Sequence, residues 1–556
     1  MSGHLVLEVL EQARRTPETV ALRSWGGVAP RWRGSRDLSY RELAARIEST
    51  ARNIRANGLE PGDRVLFSIR PRPEGVVLAL GVVLAGGSVV FVDPGSTPEL
   101  FAARLRAARP RFAATEALLY ALASGPLRRI ARSRGLLLPD LARLEVEHLF
   151  SGPWLPGTPL AARRAARLAR ETARRLGSTA PRGPGSSPAP RGPGSSPAAD
   201  DRWPTDPEAE ALVVFTSGTT EAPRAVVHTV GSLAGASRLL AGVHELEPGS
   251  VVHTEQMLLG LPALLAGATW SIPSRAPGRD LERFVREGRW GTGHPERASS
   301  SFLVPADVSA LLEARRAARV PEIEGTVLVG GAPVTRSLLA RATEALPRVR
   351  WTAVYGATEM LPIAAVGAEE KLAHPGDGDL VGAPLPGVEV RVAEDGELCV
   401  SGPSLMRGYL GAEPVTEHRT GDLARLDEQG RIVLLGRSRD MIIRGTVNIY
   451  PALFEPRIAA LPGVREAVLV GLPQEDGDER VALALTADSE ATTAPSSAVE
   501  LVADSRLVRE VRAALPEVLD HGALPDLVVE VRAIPVSGRS RKPDRRALAA
   551  SLAELG

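Results

Sequence analysis

The sequence predicts a large α/β domain followed by a smaller α+β domain. The chain has 556 residues, more than the roughly 250–300 that one hydrophobic core usually serves. Strand-like and helix-like patterns alternate through the first 120 residues and resume from 208 to about 400. A new set of strand and helix patterns begins after residue 440. Such alternation favours a largely parallel sheet with helices on both faces.

The first elements show this alternation. Residues 40–58, YRELAARIESTARNIRANG, place apolar residues at helical spacing, and Gly58 is a suitable helix end. DRVLFSI at 63–69 predicts a short buried strand. VVLALGVVLAGGSVVFVDP at 76–94 predicts a helix, a glycine break and another strand.

Residues 159–200 interrupt the pattern. PLAARRAARLARETARRLG at 159–177 predicts an arginine-rich helix, and PRGPGSSPA then occurs twice, at 181–189 and 190–198. This composition buries too little apolar surface to offset the entropy of ordering, so we expect a flexible insertion at about 177–204. The arginines suit an anionic partner, but a solvated helix is the favoured interpretation.

The second half of the chain resumes the strands. GTVLVGGAP at 325–333 and VRWTAVYGATE at 349–359 each predict a strand followed by a turn of small residues. Between 388 and 437 short alternating segments punctuated by DG and QG predict hairpins and a small barrel-like part. After 440 the predicted elements are a strand in 465–473, a helix in 505–515 and a last strand in 526–534. We therefore predict domains 1–437 and 438–556.

Composition and charge exclude several function classes. The chain is 44% hydrophobic and 24% charged with a net charge of +1, which gives no reason to expect a nucleic-acid partner. No apolar stretch approaches the roughly 20 residues of a membrane span, and the start lacks a secretion signature, so we expect a cytoplasmic protein. Cys399, the single cysteine, is expected to be a buried strand residue, and His228 a helix residue. Neither a histidine-based zinc motif nor a G-x-S-x-G elbow occurs.

One stretch of small residues suggests an anion site. TSGTTEAPRA at 216–225 follows the apolar run 212–215 and combines hydroxyl groups, a glycine turn and Arg224. Backbone N–H groups and hydroxyls in such a turn can surround phosphate oxygens closely. The pattern differs from the G-x-x-x-x-G-K-[ST] phosphate loop. A plain loop is the alternative for this stretch taken alone.

Four further motifs follow in order. YGATE at 355–359 offers an aromatic ring, a hydroxyl and a carboxylate, and TGDL at 420–423 offers an acid at a turn. GRSRD at 436–440 brings a cation to the predicted domain boundary, and GRSRKPDRRAL at 538–548 places Lys542 in a basic loop. Each motif alone is more often structural than catalytic, but their joint occurrence in this order is not expected by chance.

Together these motifs resemble the adenylate-forming superfamily, which includes acyl- and aryl-CoA ligases, adenylation domains of peptide synthetases and luciferases. The resemblance extends over nearly the whole chain, from LSYRELAARIESTARNIRANGLEPGDRV to the terminal RKPDRRAL. It implies a large N-terminal AMP-binding domain, a small mobile C-terminal lid domain, and ATP, Mg²⁺ and coenzyme A as substrates and cofactors. The implied partner is a small-molecule carboxylic acid, with an acyl carrier protein as a further option.

The resemblance also implies roles for individual residues. Lys542 would bridge the carboxylate and the α-phosphate, Thr358 would contact the α-phosphate, and Glu359 would hold Mg²⁺. Nucleotide contacts are implied for four groups of residues. The loop holding the outer phosphates would be Thr216, Ser217, Gly218, Thr219, Thr220 and Arg224, and the strand edge beside adenine would be Gly330, Gly331 and Ala332. Tyr355, followed by Gly356, would stack on adenine, and Asp422 would bind the ribose, with Arg437 as the cation that follows it.

The implied reaction is the attack of a carboxylate, here a fatty or related acyl acid, on the α-phosphorus of ATP. Mg²⁺ and a lysine would neutralise the charge that builds up, and the acyl group would then pass to coenzyme A.

Departures from the family pattern keep other interpretations open. Glu221 and Ala225 replace glycines, Arg224 replaces a lysine, and Thr446 replaces a glycine beside the expected thiol path. IRPRPEGVVLALGVVLAGGSVVFVDPG and YGATEMLPIAAV resemble β-lactone synthetases, which close a β-hydroxyacyl adenylate on itself. Transfer to a carrier-protein thiol is a second alternative. A degenerate protein that only binds a nucleotide or acyl ligand is the alternative outside enzymes.

Overall fold

The structure is a computed structural model, and the described part of the chain forms two compact units. The first unit comprises Met1–Ala276, Thr358–Met360 and Pro403–Thr416, and the second comprises Pro277–Ala357, Leu361–Gly402 and Glu417–Gly556. The structure describes residues 3–25, 35–92, 98–125, 127–133, 138–169, 203–215, 224–290, 297–375, 378–437, 440, 442–444, 447–449, 451–474, 479–488, 499–519, 524–537 and 542–554. The tandem repeats at 181–198 lie outside these residues, and the domain boundary after Arg437 stays a prediction.

The described helices of the first unit begin with α1 and α2, and the predicted 40–58 helix is confirmed as α2. Ser39 and Glu42 form a capping box at its start, and Gly58 has a left-handed φ of 95° just beyond its end. The described helices of this unit are α1 Leu5–Arg15, α2 Tyr40–Ala56, α3 Pro73–Leu84, α4 Pro98–Ala108, α5 Ala117–Ala123, α6 Arg128–Ser133, α7 Ala165–Leu168, α8 Val230–His244 and α9 Met257–Ala266, with a 3₁₀ turn at Leu141–Arg143.

The strands of the first unit form two sheet regions with both parallel and antiparallel pairs. Up to residue 276 they are β1 Val20–Trp25, β2 Ser35–Ser39, β3 Arg64–Ser68, β4 Ser88–Phe91, β5 Phe112–Glu116, β6 Glu147–Ser151, β7 Arg163–Arg164, β8 Glu210–Phe215, β9 Ala225–Thr229, β10 Val251–His253 and β11 Thr269–Ile272.

The second unit carries the remaining strands, except that β19 belongs to the first and β15 begins there. These strands are β12 Ser300–Leu303, β13 Gly325–Val329, β14 Val349–Ala357, β15 Met360–Gly367, β16 Asp379–Pro384, β17 Glu389–Val392, β18 Glu397–Ser401, β19 Gly408–Tyr409, β20 His418–Leu426, β21 Ile432–Arg437, β22 Ile442–Arg444, β23 Val447–Ile449, β24 Val464–Pro473, β25 Glu479–Ala487, β26 Leu527–Glu530, β27 Val536–Ser537 and β28 Lys542–Pro543. Its described helices are α10 Leu281–Gly288, α11 Pro305–Arg316, α12 Arg336–Ala345, α13 Ala368–Ala373, α14 Pro451–Ala459, α15 Arg506–Val518 and α16 Arg545–Ala553.

The sheet of the first unit that carries β8 and β9 has the order β19-β9-β8-β4-β3-β5-β6-β7. The pairs β8–β4, β4–β3, β3–β5, β5–β6 and β6–β7 are parallel. Strand β9 runs antiparallel to β8, and β19 runs antiparallel to β9. The other strands of this unit follow the order β10-β11-β1-β2. These are the mixed sheets expected of a large α/β domain.

The second unit orders its longer run of strands as β17-β18-β20-β21-β16-β15-β14-β13-β12. Strands β12 to β14 pair in parallel, whereas the pairs from β16 to β17 are antiparallel, which matches the hairpins predicted between 388 and 437. A three-stranded sheet, β24-β25-β26, lies nearer the C-terminus. Two hydrophobic clusters consist only of residues between Ile442 and Leu552.

The strand and turn predicted at 349–359 are confirmed, with the strand continuing through Ala357 and the turn formed by Thr358 and Glu359. Two other local predictions are wrong. Residues 159–177 do not begin as a helix, because Arg163 and Arg164 pair as β7 with β6 and the helix described there is only Ala165–Leu168. The strand in 526–534 is not the last, because the β27–β28 hairpin follows it.

Candidate active site

The turn formed by Thr358 and Glu359 belongs to the first unit. The backbone N–H of Met406 donates to the carbonyl of Glu359 at 2.7 Å. The Glu359 carboxylate accepts a hydrogen bond at 2.9 Å from the hydroxyl of Tyr409. Thr358 is exposed and Glu359 is half-buried. The two side chains predicted to act on the α-phosphate and the metal are therefore presented on one anchored turn.

Arg224 also lies in the first unit, immediately before β9. Its guanidinium carbon is 5.6 Å from the centre of the Tyr409 ring, a cation–π arrangement. Arg224 and Glu359 are thus both in contact with Tyr409. Thr216, Ser217, Gly218, Thr219 and Thr220 lie outside the described residues.

His228 corrects a sequence prediction. It lies in strand β9 rather than in a helix, because β9 pairs with β8 along its length until Thr229 caps α8. Its ring is buried, and its Nε2 is 2.8 Å from the carbonyl oxygen of Thr358. Burial lowers the pKa of His228, which favours a neutral ring that donates from Nε2 to that carbonyl.

The nucleotide residues of the second unit meet at Asp422. The hydroxyl of Tyr355 donates to Oδ2 of Asp422 at 2.6 Å, although the two residues are 67 positions apart. Asp422 in β20 pairs directly with Arg437 in β21. Asp422 is buried, with 6% of its surface exposed. The structure therefore brings together three residues that the sequence predicted to bind adenine and ribose.

The segment before Asp422 corrects a sequence prediction, because Thr420, Gly421 and Asp422 lie within strand β20 rather than at a turn. The pairing of β20 with β18 is irregular here. Gly421 has a left-handed φ of 75°, and its N–H donates to the Glu397 carboxylate at 2.8 Å. The Asp422 N–H donates to the hydroxyl of Thr420 at 3.1 Å. These two hydrogen bonds fix the direction in which β20 presents its carboxylate.

Gly330, Gly331 and Ala332 follow β13 in the same unit. A Cβ at Gly330 would lie 2.9 Å from the carbonyl oxygen of Val354, and Gly331 has a left-handed φ of 79°. Both glycines are therefore required by the backbone itself. Gly356 lies within β14, one residue after Tyr355.

Lys542 is exposed on the hairpin of β27 and β28, where it pairs with Ser537. The helix that follows is capped by Asp544, whose carboxylate accepts from the N–H of Ala547 at 3.0 Å. Arg545 anchors the start of this helix through hydrogen bonds of 2.6 and 2.8 Å to the Glu455 carboxylate. The hairpin thus presents Lys542 from an anchored base.

Tyr409 is the residue that sequence analysis missed. It occurs in the stretch GELCVSGPSLMRGYL, but no local pattern connects it with Glu359, which is 50 residues earlier in the chain. Burial, together with the negative charge of Glu359, raises the pKa of Tyr409. The hydroxyl therefore keeps its proton for the hydrogen bond at neutral pH.

A family model described as AMP-binding enzyme matches residues 9–410. The chain belongs to the AMP-binding enzyme family. This AMP-binding enzyme is 27% identical over 512 residues to an olefin beta-lactone synthetase of Xanthomonas campestris pv. campestris, with 83% of each chain covered. It is also 30% identical over 277 residues to a 2-succinylbenzoate–CoA ligase of Listeria monocytogenes, with 48% of this chain and 57% of the relative covered.

A solved structure shares the fold of this AMP-binding enzyme. An amide bond synthetase from Marinactinospora thermotolerans superimposes with a TM-score of 0.72 at 24% identity, with 99% of this chain and 100% of that chain covered. This likeness confirms the predicted fold class. The family model confirms the predicted superfamily, so the protein is an adenylate-forming enzyme.

The described residues fit Mg²⁺ and a nucleotide. No group of three or more metal-ligating side chains occurs among them, but Mg²⁺ is commonly held by one or two carboxylates together with substrate phosphates. Glu359 provides such a carboxylate on an accessible turn. Asp422 uses one oxygen for Tyr355, and an ionised carboxylate retains further acceptor positions for ribose hydroxyls. Within the described part of the chain, no helix has the length and apolarity to cross a membrane.

Proposed function

We propose that this enzyme activates a carboxylic acid with ATP and Mg²⁺ and then transfers the acyl group to coenzyme A. In the first step a bond forms between a carboxylate oxygen and the α-phosphorus. The bond between that phosphorus and the oxygen that bridges it to the β-phosphate breaks, and pyrophosphate leaves. In the second step the thiol of coenzyme A gives up its proton to solvent and its sulfur bonds to the acyl carbon, and AMP leaves as its bond to that carbon breaks.

The hydrogen bond between Tyr355 and Asp422 is the main support for nucleotide binding. It joins at 2.6 Å two residues that sequence motifs had assigned to adenine and ribose. Arg437, directly opposite Asp422 on the neighbouring strand, adds a position suited to a cation beside the sugar. An aromatic ring with a carboxylate beside it suits an adenosine, whose base can stack and whose ribose can donate hydrogen bonds, better than it suits an acyl chain.

Charge neutralisation is the proposed chemical role of the remaining residues. Bound Mg²⁺ would neutralise phosphate oxygens, and Glu359 would hold it. Thr358, exposed on the same turn, would donate to an α-phosphate oxygen. The ammonium group of Lys542 would neutralise the carboxylate and the α-phosphate as they approach each other, which is how preorganised charges lower such barriers. Arg224 and residues 216–220 would contact the outer phosphates.

The substrate is proposed to be a fatty or related acyl acid. Relatives named as CoA ligases support coenzyme A as the acceptor. Closure of a β-hydroxyacyl adenylate to a β-lactone is the second candidate, because a relative with that name matches over 83% of the chain. Transfer to a carrier-protein thiol is the third possibility to be tested.

An acid panel tests these proposals. Pyrophosphate release would be measured with saturated, β-hydroxy and aryl acids, with and without coenzyme A, and the products identified by mass. We expect release with an acyl acid and a thioester when coenzyme A is present. A β-lactone formed without coenzyme A would identify the second candidate. ATP binding without release for any acid would contradict the enzymatic proposal.

Lys542→Ala tests the assignment of the lysine. We expect pyrophosphate release to fall about 10²–10³-fold, because a preorganised charged donor is lost, whereas thioester formation from supplied acyl-adenylate should persist. Arg546→Ala is the matched control, since it removes one exposed positive charge from the adjacent helix. Equal loss of both half-reactions in Lys542→Ala, or equal effects of the two substitutions, would contradict the assigned role.

A further inference from the structure

Both backbone carbonyls in the turn of Thr358 and Glu359 are held by hydrogen bonds. The ring of His228 is 2.8 Å from the carbonyl oxygen of Thr358, and the Met406 N–H donates to the Glu359 carbonyl at 2.7 Å. Met360 forms a bridge with Leu405 immediately after the turn. These contacts fix the backbone but leave the Glu359 side chain to be oriented by another group.

Tyr409 supplies that group from the edge of a sheet. It pairs with Val226 where β19 joins β9, so its backbone position is set by the sheet. Gly408 allows this path, because a Cβ there would lie 2.8 Å from the carbonyl oxygen of Glu413. From this position the Tyr409 hydroxyl reaches the Glu359 carboxylate at 2.9 Å.

Tyr409 also contacts Arg224. The guanidinium carbon is 5.6 Å from the ring centre. The tyrosine is therefore positioned between a cation next to the phosphate loop and the carboxylate on the turn. An isolated exposed glutamate samples several rotamers, and a hydrogen bond from a fixed donor removes part of that freedom before a ligand arrives.

We propose that Tyr409 is a positioning residue for adenylation, which holds the Glu359 carboxylate in the orientation that binds Mg²⁺. The inference rests on the proposed role of Glu359 as the metal ligand. One hydrogen bond occupies only part of the acceptor capacity of a carboxylate, so a cation can bind Glu359 while the bond to Tyr409 persists. Partners that orient a metal ligand in this way typically account for about 10- to 100-fold in metal affinity.

Tyr409→Phe tests the inference because it removes the hydroxyl and keeps the ring beside Arg224. Binding of Mn²⁺, used as a probe for Mg²⁺, would be measured by electron paramagnetic resonance in the presence of a non-hydrolysable ATP analogue. We expect the affinity for Mn²⁺ to fall about 10- to 100-fold, with a parallel rise in the Mg²⁺ concentration that half-saturates pyrophosphate release. The KM for the acid should remain close to that of the wild type.

Tyr120→Phe is the matched control for a lost tyrosine hydroxyl. The Tyr120 hydroxyl is 2.8 Å from Nδ1 of His148, and both residues are remote in sequence from the turn. We expect Tyr120→Phe to lower the unfolding temperature without changing Mn²⁺ affinity. Wild-type Mn²⁺ affinity in Tyr409→Phe, or the same fall in both variants, would overturn the inference.

Glu359→Gln separates this inference from the function on which it rests. If Tyr409 acts through Glu359, the double variant should bind Mn²⁺ as weakly as Glu359→Gln alone, because the two losses are not additive. Additive losses would show that the hydroxyl acts on another group and would overturn the positioning role. Wild-type Mn²⁺ affinity in Glu359→Gln would refute the metal ligand itself, whereas weak binding in Glu359→Gln together with wild-type affinity in Tyr409→Phe would refute only the role of Tyr409.

Discussion

Tyr40 is a buried residue whose hydroxyl forms a hydrogen bond within the protein. Its ring has 0% of its surface exposed at the start of α2. Its hydroxyl donates to the carbonyl oxygen of Ala268 at 2.7 Å, just beyond the end of α9. Burial strongly raises the pKa of Tyr40, so the hydroxyl stays protonated as a donor. One side chain thus joins α2 to the segment between α9 and β11.

Tyr40→Phe should destabilise the protein without changing the packing of the ring. We expect the free energy of unfolding to fall by about 1–3 kcal/mol, because a buried carbonyl loses its donor. Urea denaturation followed by circular dichroism measures the change. Arg41→Ala is the control, since its ion pair with Glu18 is 66% and 76% exposed and such pairs contribute little. An effect of Tyr40→Phe no larger than that of Arg41→Ala would contradict the role of this hydroxyl.

At the scale of elements, helix α9 is fitted closely to the strand that follows it. A Cβ on Gly260 would lie 1.9 Å from Cε2 of Trp270 in β11. Trp270 cannot move easily, because it has 0% of its surface exposed and its Nε1–H donates to the carbonyl of Thr254 at 2.9 Å. The glycine therefore permits the contact between helix and indole ring.

Gly260→Ala and Gly242→Ala should change stability in opposite directions. Overpacking against Trp270 should destabilise Gly260→Ala by about 1–3 kcal/mol or more. Gly242, in α8, has no atom within 4 Å of a built Cβ, so alanine there should stabilise by about 0.5–1 kcal/mol through better helix propensity. Thermal unfolding of both variants measures the difference. Destabilisation by Gly242→Ala, or tolerance of alanine at 260, would refute this account of the two helices.

At the scale of the molecule, buried histidines couple stability to pH. Burial lowers the pKa of His4, His148 and His228 from the model-compound value of 6.5. Above that value the histidines are neutral in both states and add no pH dependence. Below it the unfolded chain binds protons that the folded chain resists, so the free energy of unfolding decreases as pH falls.

His4→Ser tests this coupling at the start of α1. Nδ1 of His4 accepts from the N–H of Leu7 at 3.4 Å, and serine can replace it as a helix N-cap. We expect the free energy of unfolding of the variant to fall less steeply than that of the wild type as pH drops below 6.5. Urea denaturation at several pH values measures how the free energy of unfolding changes with pH in the wild type and in the variant. Parallel slopes below pH 6.5 would show that His4 does not contribute to the loss.

The sequence by itself determined the fold class, the superfamily and the residue types available for chemistry. Helix α2 and the hairpins after residue 388 were predicted because capping residues, periodicity and turn residues act over a few positions. The same locality explains the errors at His228 and Arg163. Their strand conformation depends on pairing with β8 and β6, and no nearby residue signals that pairing.

Only the tertiary structure decided which side chains meet. Tyr355 reaches Asp422 across 67 residues, and Tyr409 reaches Glu359 across 50. The first unit is completed by Thr358–Met360 and Pro403–Thr416, which come from far along the chain. Such contacts arise when strands from distant parts of the sequence pair, and hydrophobic periodicity records which face of a strand is buried but not which strand lies beside it.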